Sequence, residues 1–315
     1  MTGPPRGLGL GELPQIGPAV ITLGVFDGVH LGHRAILEAT RTAAAERGAR
    51  SVALVFDPPP DELLRQPGAA VPRLAPLDVN LSRIEALDID LAVPIHFDEP
   101  LREMTAEAFL EALAPRIELR GVTMARHSAF GRDRGGTVEQ MQATGAERRV
   151  AVVVVEPVEV DGEIVSSSRI RAAIAAGDLA TALRLGVMPY LRGTVVTGDR
   201  RGRELGFPTA NLRFDVAPAM PALGIYAGRV TPGVRGVSDG HPALISVGTR
   251  PTFHVGGEVL AEVHLLDWDG DLYGAQLGVD LVARLRDERR FNGVDALVEQ
   301  MRLDAEMGRS VLGMT

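Results

Sequence analysis

The feature that most constrains the fold is a change of rhythm near residue 186. Before it, short β-rich runs alternate with helical stretches; after it, β-rich runs follow one another with only Gly, Pro and Asp between them. In the first half, Ala19–Leu23, Ser51–Phe56, Asp90–Ile95 and Val150–Val155 read as strands. Gly32–Arg47, Asp78–Leu87 and Thr105–Leu113 read as helices between them. Strand–helix alternation predicts a parallel sheet with helices on both faces. The uninterrupted Val-rich run of 150–155 predicts a strand covered on both sides. Two short helices, Ser167–Ala176 and Leu179–Leu185, close this half.

From Pro189 to Leu285 the runs Gly193–Val196, Gly224–Val230, Ala243–Val247, Glu258–Asp267 and Gln276–Leu285 predict an antiparallel barrel. A last helix is expected from about Asn292, with Asn292 and Asp295 at N-cap and N3 spacing. Its apolar face would be Val294, Leu297, Val298 and Met301. The fold class is therefore α/β plus β: a Rossmann-like domain over 1–186 and a β-barrel domain with a terminal helix over 187–315.

Composition removes several chemistries. Without cysteine there is no disulfide, thiolate nucleophile or Cys-bound zinc. All 33 basic residues are Arg, so no lysine forms a Schiff base or grips a phosphate. A formal charge of −8 argues against a nucleic-acid partner. No apolar run approaches the ~18 residues of a membrane helix, and the Gly- and Pro-rich start lacks a signal peptide's apolar core. The expectation is a cytoplasmic protein with no membrane partner. The pattern fixes no oligomeric state.

Two constellations carry chemistry. Gly24-Val25-Phe26-Asp27-Gly28-Val29-His30-Leu31-Gly32-His33 sits where the first strand becomes the first helix. Its glycines let backbone approach a phosphate chain, and the helix start supplies free N–H groups. His30 and His33, three apart, can face one phosphate and stabilise charge developing on it. A metal pair or a helix-capping pair is the plainer alternative. The segment Val165-Ser166-Ser167-Ser168-Arg169-Ile170-Arg171 opens a later helix and offers hydroxyls and a cation; ordinary N-capping is its plainer alternative.

The second constellation begins with Thr197-Gly198-Asp199-Arg200-Arg201-Gly202-Arg203-Glu204-Leu205-Gly206-Phe207-Pro208-Thr209-Ala210-Asn211. It lacks a Walker lysine, yet Gly198 and Gly202 give backbone that can wrap phosphates. Thr209 and Asn211 alternate on an extended segment and are hard oxygen ligands suited to Mg²⁺. Glu262 and His264 share a strand face, and either side chain can serve as a general base toward a hydroxyl. Asp271-Leu272-Tyr273-Gly274 and then Arg286, Glu288 and Phe291 follow.

The first set resembles the HxGH and ISSTxxR motifs of α/β nucleotidyltransferases. The second resembles the riboflavin kinases, which have a six-stranded antiparallel barrel. In this order they resemble the bacterial bifunctional riboflavin kinase/FAD synthetase family from about Gly17 to the final helix. That resemblance implies phosphorylation of riboflavin to FMN and adenylylation of FMN to FAD. ATP with Mg²⁺ is the donor, ADP and diphosphate are by-products, and no prosthetic group is implied. It assigns the base role to Glu262, Mg²⁺ to Thr209 and Asn211, and flavin contacts to Arg286, Glu288 and Phe291. Gly198, Gly202, Arg203 and Pro208 would line the kinase nucleotide. Gly24, Phe26, Asp27, Gly28, Gly32, Ser166, Ser167 and Ser168 would bind the second nucleotide, with His30, His33 and Arg171 acting on its phosphates. Pro59, His127 and Ser128 depart from the family pattern in the first domain, and Ser246 stands where Asn is usual in the second, a position read as sheet packing. Pro59, His127 and Ser128 leave a second expectation, a riboflavin kinase carrying a degenerate adenylyltransferase domain.

Overall fold

The computed structural model describes residues 7–64, 71–198, 202, 205–249 and 259–314. Contacts divide the chain into two units, one of Met1–Val71 with Ala75–Ser167, the other of Pro72–Leu74 with Ser168–Thr315. Residues 168–186, which the sequence pattern assigns to the first domain, thus count with the barrel: Leu179 packs in its core.

The first unit contains β1 (Gly17–Gly24), α1 (Leu31–Glu46), β2 (Arg50–Asp57), α2 (Pro60–Leu64), α3 (Leu77–Glu85) and β3 (Leu91–His96). There follow α4 (Glu99–Arg102), α5 (Ala106–Leu113), β4 (Ile117–Ala125), β5 (Ala129–Phe130), β6 (Gly136–Thr137), α6 (Val138–Arg148) and β7 (Ala151–Val155). A small hairpin, β8 (Glu159–Val160) and β9 (Glu163–Ile164), precedes α7 (Ser167–Ala175).

The main sheet has the order β3-β2-β1-β4-β7, all parallel. The order reverses between β1 and β4, which opens a crevice beyond their carboxyl ends. Sequence rhythm misses β4 and α6. Arg120 and Gly121 interrupt the apolar run of β4, while the polar sequence Glu139-Gln140 hides the helical face of Val138 and Met141. β7 corrects a second expectation. It is the edge strand and is half-buried along its length, because only β4 pairs with it.

Period-two alternation sends Ile21, Leu54, Val122 and Met124 to one side of the sheet, against Phe109, Leu113 and Met141. The other side meets Phe26, Leu37 and Ile84 through Ala53 and Val55. Fully burying such a side chain contributes roughly 1.5–3 kcal/mol, so both helical layers are firmly attached.

The second unit contains α8 (Leu179–Arg184), β10 (Tyr190–Val196), β11 (Ala210–Arg213), β12 (Gly224–Val230), β13 (Pro242–Thr249), β14 (Val259–Leu265), β15 (Gln276–Arg286) and α9 (Val294–Val311). Six antiparallel strands close into a barrel in the order β10-β11-β14-β13-β12-β15. Inward positions such as Val195, Leu212, Tyr226, Ile245, Val263 and Val279 fill it with side chains, so ligands must bind outside. The outward positions form a transverse row. Asn211 pairs with Glu262, Glu262 with Ser246, Ser246 with Ile225 and Ile225 with Arg286.

The final helix differs from expectation. It starts at Val294 behind Gly293, whose φ is +128°, and no side chain caps it, so Asn292 is not the N-cap. Val294 is 58% exposed. Leu297, Val298 and Met301 of the expected face are half-buried, and that face continues into the buried Asp304, Ala305 and Gly308. Gly308 is the reason for the close seat: a Cβ there would lie 2.6 Å from Leu244 Cδ2.

Candidate active sites

The turn after β1 is strained. Phe26 (φ 51°) and Val29 (φ 49°) adopt left-handed backbone beside Gly28 (φ 80°), a conformation that is a true outlier for a β-branched residue. Surrounding groups hold it. Buried Asp27 accepts from the Ala75 N–H through Oδ1 at 3.2 Å. The Gly28 N–H donates to Asn80 Oδ1 at 3.0 Å, and Asn80 Nδ2 returns to the Ala75 carbonyl at 3.1 Å. Ser167 Oγ donates to the Asp27 carbonyl at 3.3 Å. Sequence reading missed Asn80; the signal was a polar residue on the apolar face of α3, and it is 3% exposed.

His30 is the N-cap of α1: its Nδ1 accepts from the His33 N–H at 3.3 Å. The capping alternative is therefore realised for one nitrogen. The two imidazoles stack at 3.6 Å between centroids, 15° apart, and Phe26 meets His33 edge-on at 5.2 Å. Stacking requires closeness, and Gly32 permits it: a Cβ there would press His30 Cε1 at 3.2 Å. Burial, then the charge of His30, pushes the His33 imidazole well below its ordinary range. His33 Nδ1 is buried without a hydrogen-bond partner. A His33 ring held neutral beside a helix N-terminus suits donation to phosphate oxygens without a fixed positive charge.

Gly24 ends β1, where a Cβ would touch the Phe26 ring at 3.4 Å. Ser166 and Ser167 belong to this unit, while Ser168 and Arg171 count with the second. Of the three departures, Pro59 is buried, and His127 is exposed at a turn closed by the Ser128 N–H to the Ala125 carbonyl at 2.9 Å.

In the second unit two cavities share one wall. The first is lined by Gly198, Pro208, Thr209, Asn211, Trp268 and Tyr273, among others. The second is lined by Thr209, Ser246, Glu262, Arg286, Glu288 and Phe291, with Met301 and Asp304 from α9. Thr209 borders both, and its Oγ1 donates to Glu262 Oε2 at 3.0 Å. Gly198 is required beside Asn211, since a Cβ there would strike the Asn211 amide; at Gly202 it would strike the Phe207 carbonyl. Arg203, assigned to the nucleotide, lies outside the described residues.

The ring of His264 donates through Nδ1 to the Pro208 carbonyl at 2.8 Å and packs on Phe207 at 5.4 Å. Burial holds its imidazole below the ordinary range. That ring is fastened as a brace for the segment carrying Thr209, which leaves Glu262 as the strand's base candidate, facing the second cavity and bonded to Thr209 at its border with the first. Arg286 is engaged as well: Nε and Nη2 pair with Asp304 at 2.8 and 2.7 Å, and its guanidinium lies 5.9 Å from the Phe291 ring centroid. The carboxylate of Glu288 lies against Gly248, 2.9 Å from where a Cβ would stand. Ser246 is not a packing residue of the barrel interior; it faces the second cavity. Ile225, Ser246, Met301 and Asp304 are lining residues that contiguous motifs did not reveal, because register and the final helix deliver them.

Comparison with known proteins agrees with this layout. Residues 14–169 match the family model described as FAD synthetase, and residues 185–312 match that described as riboflavin kinase. A bifunctional riboflavin kinase/FMN adenylyltransferase of Listeria monocytogenes is 32% identical over 92% of this chain and 91% of its own. Namesakes from Pseudomonas fluorescens and Escherichia coli are each 34% identical, over 95% and 97% of this chain and 94% and 96% of their own. A crystal structure described as a macrolide-efflux protein from Streptococcus pneumoniae superposes with a TM-score of 0.84 at 29% identity, covering 96% of this chain and 97% of that one. Among the described residues no helix is long and apolar enough to cross a membrane.

Proposed function

The chain belongs to the bifunctional riboflavin kinase/FMN adenylyltransferase family, and from that premise we propose how its side chains divide the two reactions. It phosphorylates riboflavin to FMN and adenylylates FMN to FAD, each step with ATP. The observation that carries the kinase assignment is the Thr209–Glu262 hydrogen bond, which joins the two cavities of the barrel's outer face.

Riboflavin occupies the cavity bounded by Ser246, Arg286, Phe291 and Met301 and presents its ribityl 5′-hydroxyl to Glu262. The carboxylate takes the proton as the hydroxyl oxygen attacks the γ-phosphorus of ATP, and ADP leaves. ATP lies in the neighbouring cavity, over Gly198 and Pro208. The hydroxyl of Thr209 and the amide oxygen of Asn211 fit Mg²⁺, because Gly198 leaves open the space in front of Asn211 that a Cβ would fill. Bound there, the ion would offset phosphate charge. Thr209 thus orients the base and reaches the nucleotide side at once.

In the first unit the FMN phosphate attacks the α-phosphorus of a second ATP and diphosphate leaves. Gly24, Phe26, Asp27, Gly28 and Gly32 shape the backbone around the phosphates, with Ser166 and Ser167 supplying hydroxyls. His30 and His33 stabilise the charge that grows on the phosphates, with no covalent intermediate. The enzyme works in the cytoplasm.

The test is a time course of the protein with riboflavin, ATP and Mg²⁺, the flavins being separated by chromatography. FMN should appear first and FAD after it. FMN alone, with added FMN also left unchanged, would remove the adenylyl-transfer half.

A further inference from the structure

Asp304 has no part in the chemistry described so far, yet it is 3% exposed on α9 and its carboxylate is fully engaged. It accepts two bonds from Arg286, at 2.8 and 2.7 Å, and a third from Gln300 Nε2 at 2.9 Å. Arg286 adds an Nη1 bond to the Asp287 carbonyl at 2.8 Å. The pair is nearly dry, with side chains 13% and 4% exposed. Desolvating two charges is expensive, so such a pair is weak evidence of a stability device. Its placement points elsewhere.

Arg286 stands at one end of the outward row whose other end carries Glu262 and Asn211. Both Arg286 and Glu262 line the riboflavin cavity, as does Glu288. The other charged or titratable side chains on that cavity are Arg289, which reaches Gln300 at 3.4 Å, and His264, which is bonded to Pro208. An arginine stays charged at any working pH and, when buried, must find a carboxylate. Without Asp304 the carboxylates left to it in this cavity are Glu262 and Glu288. A guanidinium forked onto Glu262 would occupy the oxygens that must take the substrate's proton.

We propose that Asp304 is a positioning residue of the phosphoryl-transfer site, holding Arg286 at the far end of the cavity and so keeping Glu262 free to act as base. The inference rests on the assignment of this cavity to riboflavin.

Three variants of the full chain, beside Glu262→Gln, test it. Riboflavin binding is read by flavin fluorescence quenching, and kcat is counted per riboflavin-binding site, so loss of folded protein does not move it. Asp304→Asn keeps the shape, removes the charge and frees Arg286; kcat should fall about 10- to 100-fold with KM for ATP unchanged. Asp304→Glu retains the carboxylate and should recover most of that loss. Arg286→Met with Asp304→Leu removes both charges at similar volume. It should raise kcat about 10-fold above Asp304→Asn while KM for riboflavin stays high, because Arg286 is gone. Wild-type kcat in Asp304→Asn, or a double variant no faster than Asp304→Asn, would overturn the proposal. If Glu262→Gln itself turns over normally, the assignment of the cavity is what fails.

Discussion

The two sites are built on opposite plans. In the first unit, ten consecutive residues from Gly24 to His33 supply a strand end, a strained turn, a helix cap and both imidazoles. In the barrel, Asn211, Glu262, Ser246 and Arg286 come from four strands far apart in sequence and fall in one row only because cross-strand register aligns them. A local site depends on backbone conformation, and its weak points are the groups that hold the backbone. A register-built site tolerates local change, and its weak points are single outward side chains.

The sharpest way to break the comparison is Glu262→Gln. It should lower FMN formation by 10²–10⁴-fold in a radiometric or chromatographic assay, while adenylylation of added FMN continues. His33→Ala should do the converse. FAD formation from FMN should fall by about 10²-fold with kinase rate unchanged, since the stacked pair serves only the first unit.

Asn80→Ala should be felt less in rate than in stability. It removes the acceptor of the buried Gly28 N–H, a loss of roughly 1–3 kcal/mol in denaturant unfolding of the first unit, with FAD formation reduced and FMN formation intact. The smallest effect concerns pH. His33 is held below its ordinary range in the folded state, so below about pH 6.5 the unfolded chain binds a proton that the folded chain refuses. Stability of the first unit is therefore full above that pH and declines as pH falls toward the folded value. Thermal melts of the wild type should show this acid-side decline, and His33→Gln should flatten it.

The same contrast explains what the sequence made legible. HxGH and the serine run are contiguous, so Gly24, His30 and Gly32 were readable before any fold was known. Thr209, Asn211 and Glu262 were readable because period-two spacing places them outward. Asn80, Ser246 and Asp304 were not, because their roles depend on what folding brings opposite them. Ser246 reads as packing until register sets it between Ile225 and Glu262. Asp304 reads as a polar residue of an amphipathic helix until folding sets it beside Arg286, further along the face that carries Leu297 and Met301. β4 escaped because Arg120 and Gly121 break its apolar run, although it flanks the crevice beside β1.

Along β14, Ala261 and Val263 point into the barrel while Glu262 and His264 point out. On β13, Ile245 and Val247 flank Ser246 in the same manner. Two messages are thus interleaved letter by letter on one strand, one specifying endurance and the other reactivity. Selection can edit the second without rewriting the first, so the trade between activity and robustness that accompanies many engineered active sites should be mild on this face. A library confined to Ser246, Ile225 and their outward neighbours would explore new alcohol acceptors on a scaffold whose melting temperature hardly moves.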